Sequence, residues 1–254
     1  MTQYVFATGQ LYATPVGGGA PLRVGALQDV SVEFSGDVKQ LFGQYQFPLD
    51  VARGKTKVEG KIGTGNIDVS SFNQLFFGQT VTTNTQKVQA QNEAHSIPAT
   101  PGPYTVTAAN AADFYLDLGV YLVSTGEMLR QVSGVPASGE YSVNAGTGVY
   151  TFNAAQQGAA ILLNYIYDST TTGSGTLDIN NQLMGVTPKF QLLASQTYNN
   201  KTFTLCLYSV VADKLSMPLK QDDYLISEVS YQASANATNQ IGFISTTSAT
   251  GGGA

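Results

Sequence analysis

The chain has 254 residues, and its 17 Asp and Glu residues outnumber its 12 Lys and Arg residues, which gives a formal net charge of −5. Tight binding of a nucleic acid requires clustered basic side chains. The sequence is acidic overall and has no such cluster, which argues against a conventional nucleic-acid-binding protein. Only 11% of the residues are charged. Because Thr, Tyr, Val and Gly are abundant, the sequence predicts a mainly β protein, part of whose surface becomes covered in an assembly.

The single cysteine, Cys206, cannot form a disulfide within the chain, so no oxidising compartment is indicated. It lies in an apolar stretch, which is typical of a small buried side chain. The first fifteen residues lack a basic region followed by an apolar run, and no apolar run reaches membrane-spanning length. We therefore expect a soluble protein that folds in a reducing cytoplasm and has no membrane partner.

Residues 4–13 are predicted to form a first strand, and the Gly-rich residues 14–21 a loop. The stretch 24–78 that follows is the most strongly patterned part of the chain. In residues 29–35 apolar and polar side chains alternate strictly, which predicts a strand with Val30, Val32 and Phe34 on its buried face. The opposite face of this strand carries four polar residues: Asp29, Ser31, Glu33 and Ser35.

Residues 55–62 repeat the alternation and predict a second strand. The polar face of this strand is expected to be exposed to solvent or to contact another charged surface. This face carries Lys55, Lys57, Glu59 and Lys61. After the strand, Asp68 can cap a short helix whose apolar residues recur at helical spacing, and Gly78 is placed to end that helix. A strand pair covered by a short helix predicts a small β-rich core.

The composition changes at residues 82–103, where polar residues are followed by closely spaced prolines, which predicts a linker or long arm. Residues 104–168 then show short strands at regular intervals, including one at 127–132, separated by turn residues. This spacing is typical of a small β-sandwich. The aromatic core of the sandwich is expected to contain Tyr141, Tyr150 and Phe152.

A second linker is predicted at 169–176, so the sandwich is an insertion in a split core. The predicted order is 1–81, first part of the core; 82–103, linker or arm; 104–168, inserted domain; 169–176, linker; and 177–254, second part of the core with a flexible C-terminal tail. In the second part, Asn199 and Asn200 tolerate positive φ and predict a hairpin turn. Residues 228–236 alternate as a further strand with a polar exposed face.

The runs DVSVEFSGDVKQLFG, FPLDVARGKTKVEGKI and SSFNQLFFG resemble the major tail tube proteins of tailed bacteriophages. The closing runs KLSMPLKQDDY, EVSYQASAN and IGFIS resemble the last part of the same family, so the likeness covers both ends of the chain. Between them, the stretch GEYSVNAGTGVYTFNAAQQGAAILLNYIY resembles an immunoglobulin-like β module that recurs inside phage virion proteins.

The resemblance implies a tail-tube-type β-barrel or sandwich core with one short helix and an inserted small β-sandwich domain. It also implies a structural virion protein, located in the tail and assembled in the host cytoplasm. Hexameric rings would stack into a hollow tube through which phage DNA is delivered, with strands of each subunit joining a barrel around the lumen. The implied partners are further copies of the chain, other tail proteins (sheath if contractile, baseplate or tip, terminator) and DNA as a passing cargo without specific binding.

The eight polar residues of the two predicted strands are candidates for the lumen or for contacts between subunits: Asp29, Ser31, Glu33, Ser35, Lys55, Lys57, Glu59 and Lys61. We expect a lumen wall that is acidic or neutral overall, because attractive contacts repeated in every ring would slow the DNA. The Lys-bearing face is the less favoured of the two for this reason. The polar arm at 81–101 and the loop around Gly17 are expected to form contacts between rings.

No residue pattern points to catalysis or to a cofactor. His95 is the only histidine and falls in the predicted linker, so it cannot complete a conventional triad or, with Cys206, a zinc site. Acidic residues could in principle hold a hard cation or act as an acid and base pair, although scattered acids are more typical of a solvated face. These residues are Asp29, Glu33, Asp37, Asp222 and Asp223. The sequence therefore predicts no enzyme, no cofactor and no metal.

Two alternatives to the tube subunit stay open. The inserted sandwich could carry recognition on its loops, as in a phage decoration or host-attachment protein. A glycan hydrolase that uses two carboxylates is the remaining enzymatic alternative.

Overall fold

The computed structural model describes residues 9–66 and 68–247. Of these described residues, 55% are in strands and 6% in helices, so the predicted mainly β class is confirmed. The chain forms two compact units. Among the described residues, unit 1 comprises those up to Val81 and those from Leu177 onward, and unit 2 comprises Thr82–Thr176.

The secondary structure elements follow in chain order. The first strands are β1 (Gln10–Pro15), β2 (Leu22–Val24), β3 (Leu27–Phe42) and β4 (Pro48–Thr64). Helix α1 (Val69–Phe72) comes next and continues as a π-helical turn over Asn73–Phe77. The middle strands are β5 (Val81–Thr83), β6 (Gln86–Ser96), β7 (Thr105–Thr107), β8 (Phe114–Leu122), β9 (Arg130–Gln131), β10 (Glu140–Asn144), β11 (Val149–Phe152), β12 (Ala160–Ser169) and β13 (Gly175–Leu177). Short 3-10 helices lie at Ala111–Asp113 and Ala154–Gln156. The last strands are β14 (Phe190–Tyr198), β15 (Lys201–Ser216), β16 (Ser227–Ser234) and β17 (Gly242–Thr246).

The described residues of unit 1 form one eight-stranded sheet. Its strands follow the order β2-β1-β14-β15-β16-β4-β3, and β17 pairs with the first half of β15. Within the described residues the sheet does not close on itself, because β2 and β3 are open edges. The barrel that the sequence predicts is therefore not formed by the strands of one chain. Residues 4–8 of the predicted first strand lie outside the described residues.

The long β3–β4 hairpin is only partly embedded in this sheet. Strand β16 pairs with β4 as far as Val58, which lies opposite Ala233. Beyond that point, residues 35–57 form what we call the hairpin arm, in which β3 and β4 pair only with each other in the described chain. The predicted inward position of Phe34 is wrong for the same reason. Its partner Val58 is the last residue of β4 that β16 covers, and 53% of the Phe34 surface is exposed.

The short helix forms as its capping residues predict. The Asp68 carboxylate accepts hydrogen bonds from the backbone N–H groups of Ser70 and Ser71, at 3.2 and 3.1 Å. Gly78 ends the helical segment with a φ of 63°, in the left-handed region that glycine adopts without strain. The segment buries Phe72 and Leu75, and Leu75 belongs to the core of unit 1.

The predicted hairpin turn at Asn199 and Asn200 is also confirmed. These residues have φ values of 50° and 61°, as a tight two-residue turn requires. They join β14 to β15, with Tyr198 opposite Lys201. The predicted burial of Cys206 on β15 is confirmed as well.

One side chain ties three strands of unit 1 together. Tyr231 on β16 lies opposite Gly60 on β4, and its hydroxyl donates a hydrogen bond to the backbone oxygen of Ser31 on β3 at 3.0 Å. The ring occupies the space above Gly60, because a Cβ at that glycine would lie 2.7 Å from Tyr231 Cζ. Burial raises the pKa of Tyr231. Only glycine at position 60 leaves room for this crossing.

Unit 2 is a sandwich of a four-stranded sheet, β7-β11-β10-β9, and a three-stranded sheet, β6-β12-β8. The predicted aromatic core is confirmed, since Tyr141, Tyr150 and Phe152 are buried in its cluster. The Asp117 carboxylate accepts hydrogen bonds from the hydroxyls of Tyr141, at 2.5 Å, and Tyr150, at 2.8 Å. Burial is the largest effect that raises the pKa of both tyrosines, and the Asp117 carboxylate raises it further.

Three sequence predictions about this region need correction. Residues 82–103 are not a linker throughout, because Gln86–Ser96 form β6, which pairs with β12 on both sides of an irregularity at Gln91 and Asn92. The predicted strand at 127–132 is reduced to Arg130–Gln131. The predicted linker at 169–176 contains the first residues of β13, which pairs with β5 as a separate two-stranded sheet.

Candidate functional site

The two polar strand faces that the sequence presents as alternatives form one surface. In the β3–β4 register Ser31 lies opposite Lys61, Glu33 opposite Glu59 and Ser35 opposite Lys57. Residues directly opposite each other in an antiparallel pair project from the same side of the sheet. We call this surface the charged face. Its residues are Asp29, Ser31, Glu33, Ser35, Lys55, Lys57, Glu59 and Lys61.

The charged face extends across the next strand of the sheet. Lys61 Nζ lies 2.9 Å from Glu228 Oε1 on β16, and Gln232 of the same strand donates a hydrogen bond to Asp213 at 3.0 Å. On β4 itself, Lys57 Nζ lies 2.8 Å from Glu59 Oε1. The hydrogen bond and the charge of Glu59 raise the pKa of Lys57. These lysines are therefore paired with carboxylates across an exposed surface.

The balance of charge on this face is close to zero. Its eight residues include three carboxylates and three lysines, and the pairing of Lys61 with Glu228 brings in one further acid. Because Lys57 is paired with Glu59 and Lys61 with Glu228, and Glu33 lies directly opposite Glu59, the positive charges of this face are offset by neighbouring carboxylates. Such a surface neither holds a polyanion nor strongly repels it.

The hairpin arm carries an exposed apolar surface that the sequence analysis did not single out. Tyr45 and Phe47 at its tip are 72% and 80% exposed. Further large apolar side chains along the arm are more than half exposed: Val38, Leu41, Phe42, Leu49 and Val51. The signal was present in the sequence as apolar residues recurring through 38–51, outside the two strands that the strict alternation identified. Exposed apolar side chains gathered on one projecting hairpin favour a contact with a partner.

Two further segments of unit 1 expose apolar side chains from irregular backbone. In the segment 178–189, Leu183 and Met184 are 85% exposed or more. In the segment 217–226, Leu219 and Tyr224 are 87% and 90% exposed. Single exposed apolar side chains are common on folded proteins, so these two segments carry less weight than the hairpin arm.

The histidine that was weighed for catalysis and metal binding lies in unit 2. His95 lies on β6, where its Nε2 is 2.6 Å from Glu93 Oε1. The same carboxylate accepts hydrogen bonds from the Tyr165 hydroxyl at 2.5 Å and the Ala109 N–H at 2.9 Å. Burial alone raises the pKa of Glu93, but these hydrogen bonds outweigh it and hold the pKa below its ordinary value.

We expect the Glu93 cluster to make unit 2 sensitive to acid. A carboxyl whose pKa is lower in the folded state contributes stability above its unfolded pKa, and this contribution is lost as the pH falls through the folded pKa. The melting temperature of unit 2 should therefore decrease between about pH 5 and pH 3, and less steeply in Glu93→Gln. The exposed Glu127→Gln is the matched control and should keep the slope of the unmodified protein. Equal slopes for all three proteins in calorimetry would contradict this role of Glu93.

In the described part of the chain, no group of three or more His, Cys, Asp or Glu side chains is arranged to hold a metal ion. The acidic residues that the sequence analysis considered as an acid and base pair lie apart in the chain, with Asp222 and Asp223 in the irregular segment before β16 and the others on β3. No helix within residues 9–66 and 68–247 has both the length and the apolar character needed to cross a membrane.

Comparison with known proteins assigns no family. No protein-family model matches the chain, and no curated protein matches it significantly.

Proposed function

We propose that this chain is a structural subunit of a bacteriophage tail tube, in which rings, expected to be hexameric, stack into a channel for DNA. The observation that carries the proposal is the hairpin arm. It extends beyond the sheet and exposes aromatic side chains at its tip, with Tyr45 and Phe47 at 72% and 80%. An isolated chain gains nothing from such an arm, whereas a second copy can bury it.

The open sheet supports ring formation. Strand β3 is a 16-residue edge, and at the other end of the sheet β2 is also an edge. A long exposed edge tends to pair with another chain, and closing strands into a barrel across subunits removes all edges at once. Joining neighbouring subunits through these edges would complete the barrel that one chain leaves open.

The charged face supports the role of a channel wall. DNA passing through many rings must not be held at each of them, so a wall with clustered basic residues is unsuitable. The carboxylates of β3, together with the Lys57–Glu59 pair on β4 and the Lys61–Glu228 pair between β4 and β16, give a surface without net positive charge. We assign this face to the lumen.

Self-assembly is the direct test of this function. Negative-stain microscopy of the purified full-length protein is expected to show rings or tubes whose abundance grows with protein concentration. Discrete particles of monomer size at all concentrations would contradict the proposal and favour a decoration or host-attachment protein.

A further inference from the structure

Unit 2 has a groove of about 510 Å³ on one face of its three-stranded sheet. Leu162 and Asn164 of β12 line this groove, while the alternate residues Leu163 and Tyr165 belong to the buried core. The groove is therefore on the side of the sheet that faces away from the sandwich interior. Its volume is within the range of small-molecule sites, about 300–1,000 Å³.

The lining combines an apolar floor with amide groups. The floor includes Leu118, Met128 and Leu162, and the polar residues are Gln89, Gln91, Asn92 and Asn164. Asn164 is held in place, because its Oδ1 accepts a hydrogen bond from the Asn92 N–H at 2.9 Å. None of the eleven lining residues carries a charge. The nearby Lys87 on β6 is paired with Asp168 at 2.9 Å.

Three polar groups of the groove are available to a ligand. The side chains of Gln89, Gln91 and Tyr121 make no hydrogen bond within the described part of the chain. Tyr121 is 36% exposed and lies beside the floor. Each glutamine offers one acceptor and two donors, and the tyrosine adds a hydroxyl and the face of an aromatic ring.

We propose that this groove binds an uncharged glycan that carries N-acetyl groups. A sugar ring has an apolar C–H face, which fits the Leu and Tyr surfaces, and a rim of hydroxyls, which fits the free amides. An acetamido group adds a methyl for the apolar floor, and its N–H and C=O match the acceptor and donor of one glutamine side chain. A charged ligand finds no counter-ion among the lining residues, so its desolvation is not compensated.

The inference is independent of tube assembly, because every residue it uses lies in unit 2. The test is saturation-transfer NMR and calorimetry on the full-length protein with tri-N-acetylchitotriose as the probe. Maltotriose, which lacks the acetyl groups, and anionic trigalacturonate are the comparison ligands. We expect the strongest transfer at the acetyl methyl protons, weaker transfer to maltotriose and none to trigalacturonate.

Substitutions of groove residues test whether the sugar binds in the groove. Gln89→Ala/Gln91→Ala is expected to weaken chitotriose binding about tenfold, because two hydrogen bonds are lost. Tyr121→Ala tests the stacking surface separately and should weaken chitotriose binding by a similar factor. Gln131→Ala, an exposed glutamine on β9 of the other sheet, is the matched control and should bind as the unmodified protein does. The proposal is overturned if both groove variants bind chitotriose with unchanged affinity, or if none of the three sugars binds. It is also overturned if an uncharged Thr-Val hexapeptide binds at the groove and the sugars do not.

Discussion

Replacing Tyr45 and Phe47 together by Ser is expected to abolish tube assembly while the chain keeps its fold. Both side chains are exposed in the single chain, at 72% and 80%, so their loss removes no contact from the monomer core. In the assembly they would be central apolar anchors, and truncating such an aromatic residue typically costs about 2 kcal/mol or more. The association constant should therefore fall by at least about a hundredfold.

Analytical ultracentrifugation measures the loss of assembly, and circular dichroism measures whether the fold is kept. The double variant should sediment as a monomer at concentrations at which the unmodified protein forms rings. Its melting temperature should equal that of the unmodified protein diluted until it is monomeric, because assembly itself raises the melting temperature. Val135→Ser is the matched control, because Val135 is 96% exposed and lies in unit 2. If the double variant assembles as readily as Val135→Ser, the hairpin arm is not the assembly contact.

Gly60→Ala should destabilise unit 1 by about 3 kcal/mol, since overpacking a closely packed site costs about 1–3 kcal/mol and the Tyr231 hydrogen bond is lost as well. The new Cβ would lie 2.7 Å from Tyr231 Cζ and closer still to the Ser31 backbone oxygen. The ring that ties β16, β4 and β3 together must then move. Because the charged face and the base of the hairpin arm are carried by these strands, assembly should weaken together with stability.

The control for this substitution lies on the same strand. At Gly54 a Cβ would meet its nearest neighbour, the Asp37 backbone oxygen, at 3.6 Å, so Gly54→Ala should change the free energy of unfolding by less than about 0.5 kcal/mol. In a double-mutant cycle, Tyr231→Leu should make Gly60→Ala less costly by about 1 kcal/mol or more. Additive effects would show that the Tyr231 ring is not what requires glycine and would leave the clash with the Ser31 backbone oxygen as the cause. Equal stability of the Gly60 and Gly54 variants in chemical denaturation would show that neither contact requires glycine.

The sequence could predict the features that local chemistry determines. Asp68 and Gly78 mark the ends of the helical segment because capping needs only neighbouring residues. The paired asparagines at 199 and 200 mark their turn for the same reason. The second half of the helical segment winds as a π-turn over Asn73–Phe77, and apolar spacing alone does not distinguish this from a regular helix.

The charged face shows what the sequence could not supply. Alternation identifies the polar side of each strand, but it does not say which residue lies opposite which, and a slip of one residue would place the two polar sets on opposite sides. Only the register, with Glu33 opposite Glu59 and Ser31 opposite Lys61, shows that they form one surface. Similarly, the amides of β6 resemble a linker because most of their partners lie on β12, more than 60 residues later in the chain.

The central claim is that copies of this chain assemble around a channel lined by the charged face. Cryo-electron microscopy of the purified protein tests it most directly. The account predicts stacked rings in which Asp29, Glu33, Glu59 and Lys61 face a hollow lumen, the aromatic tip of the hairpin arm is buried against another copy, and the wall carries no net positive charge. A monomeric particle, or tubes with a strongly basic lumen and the charged face on the outside, would contradict it.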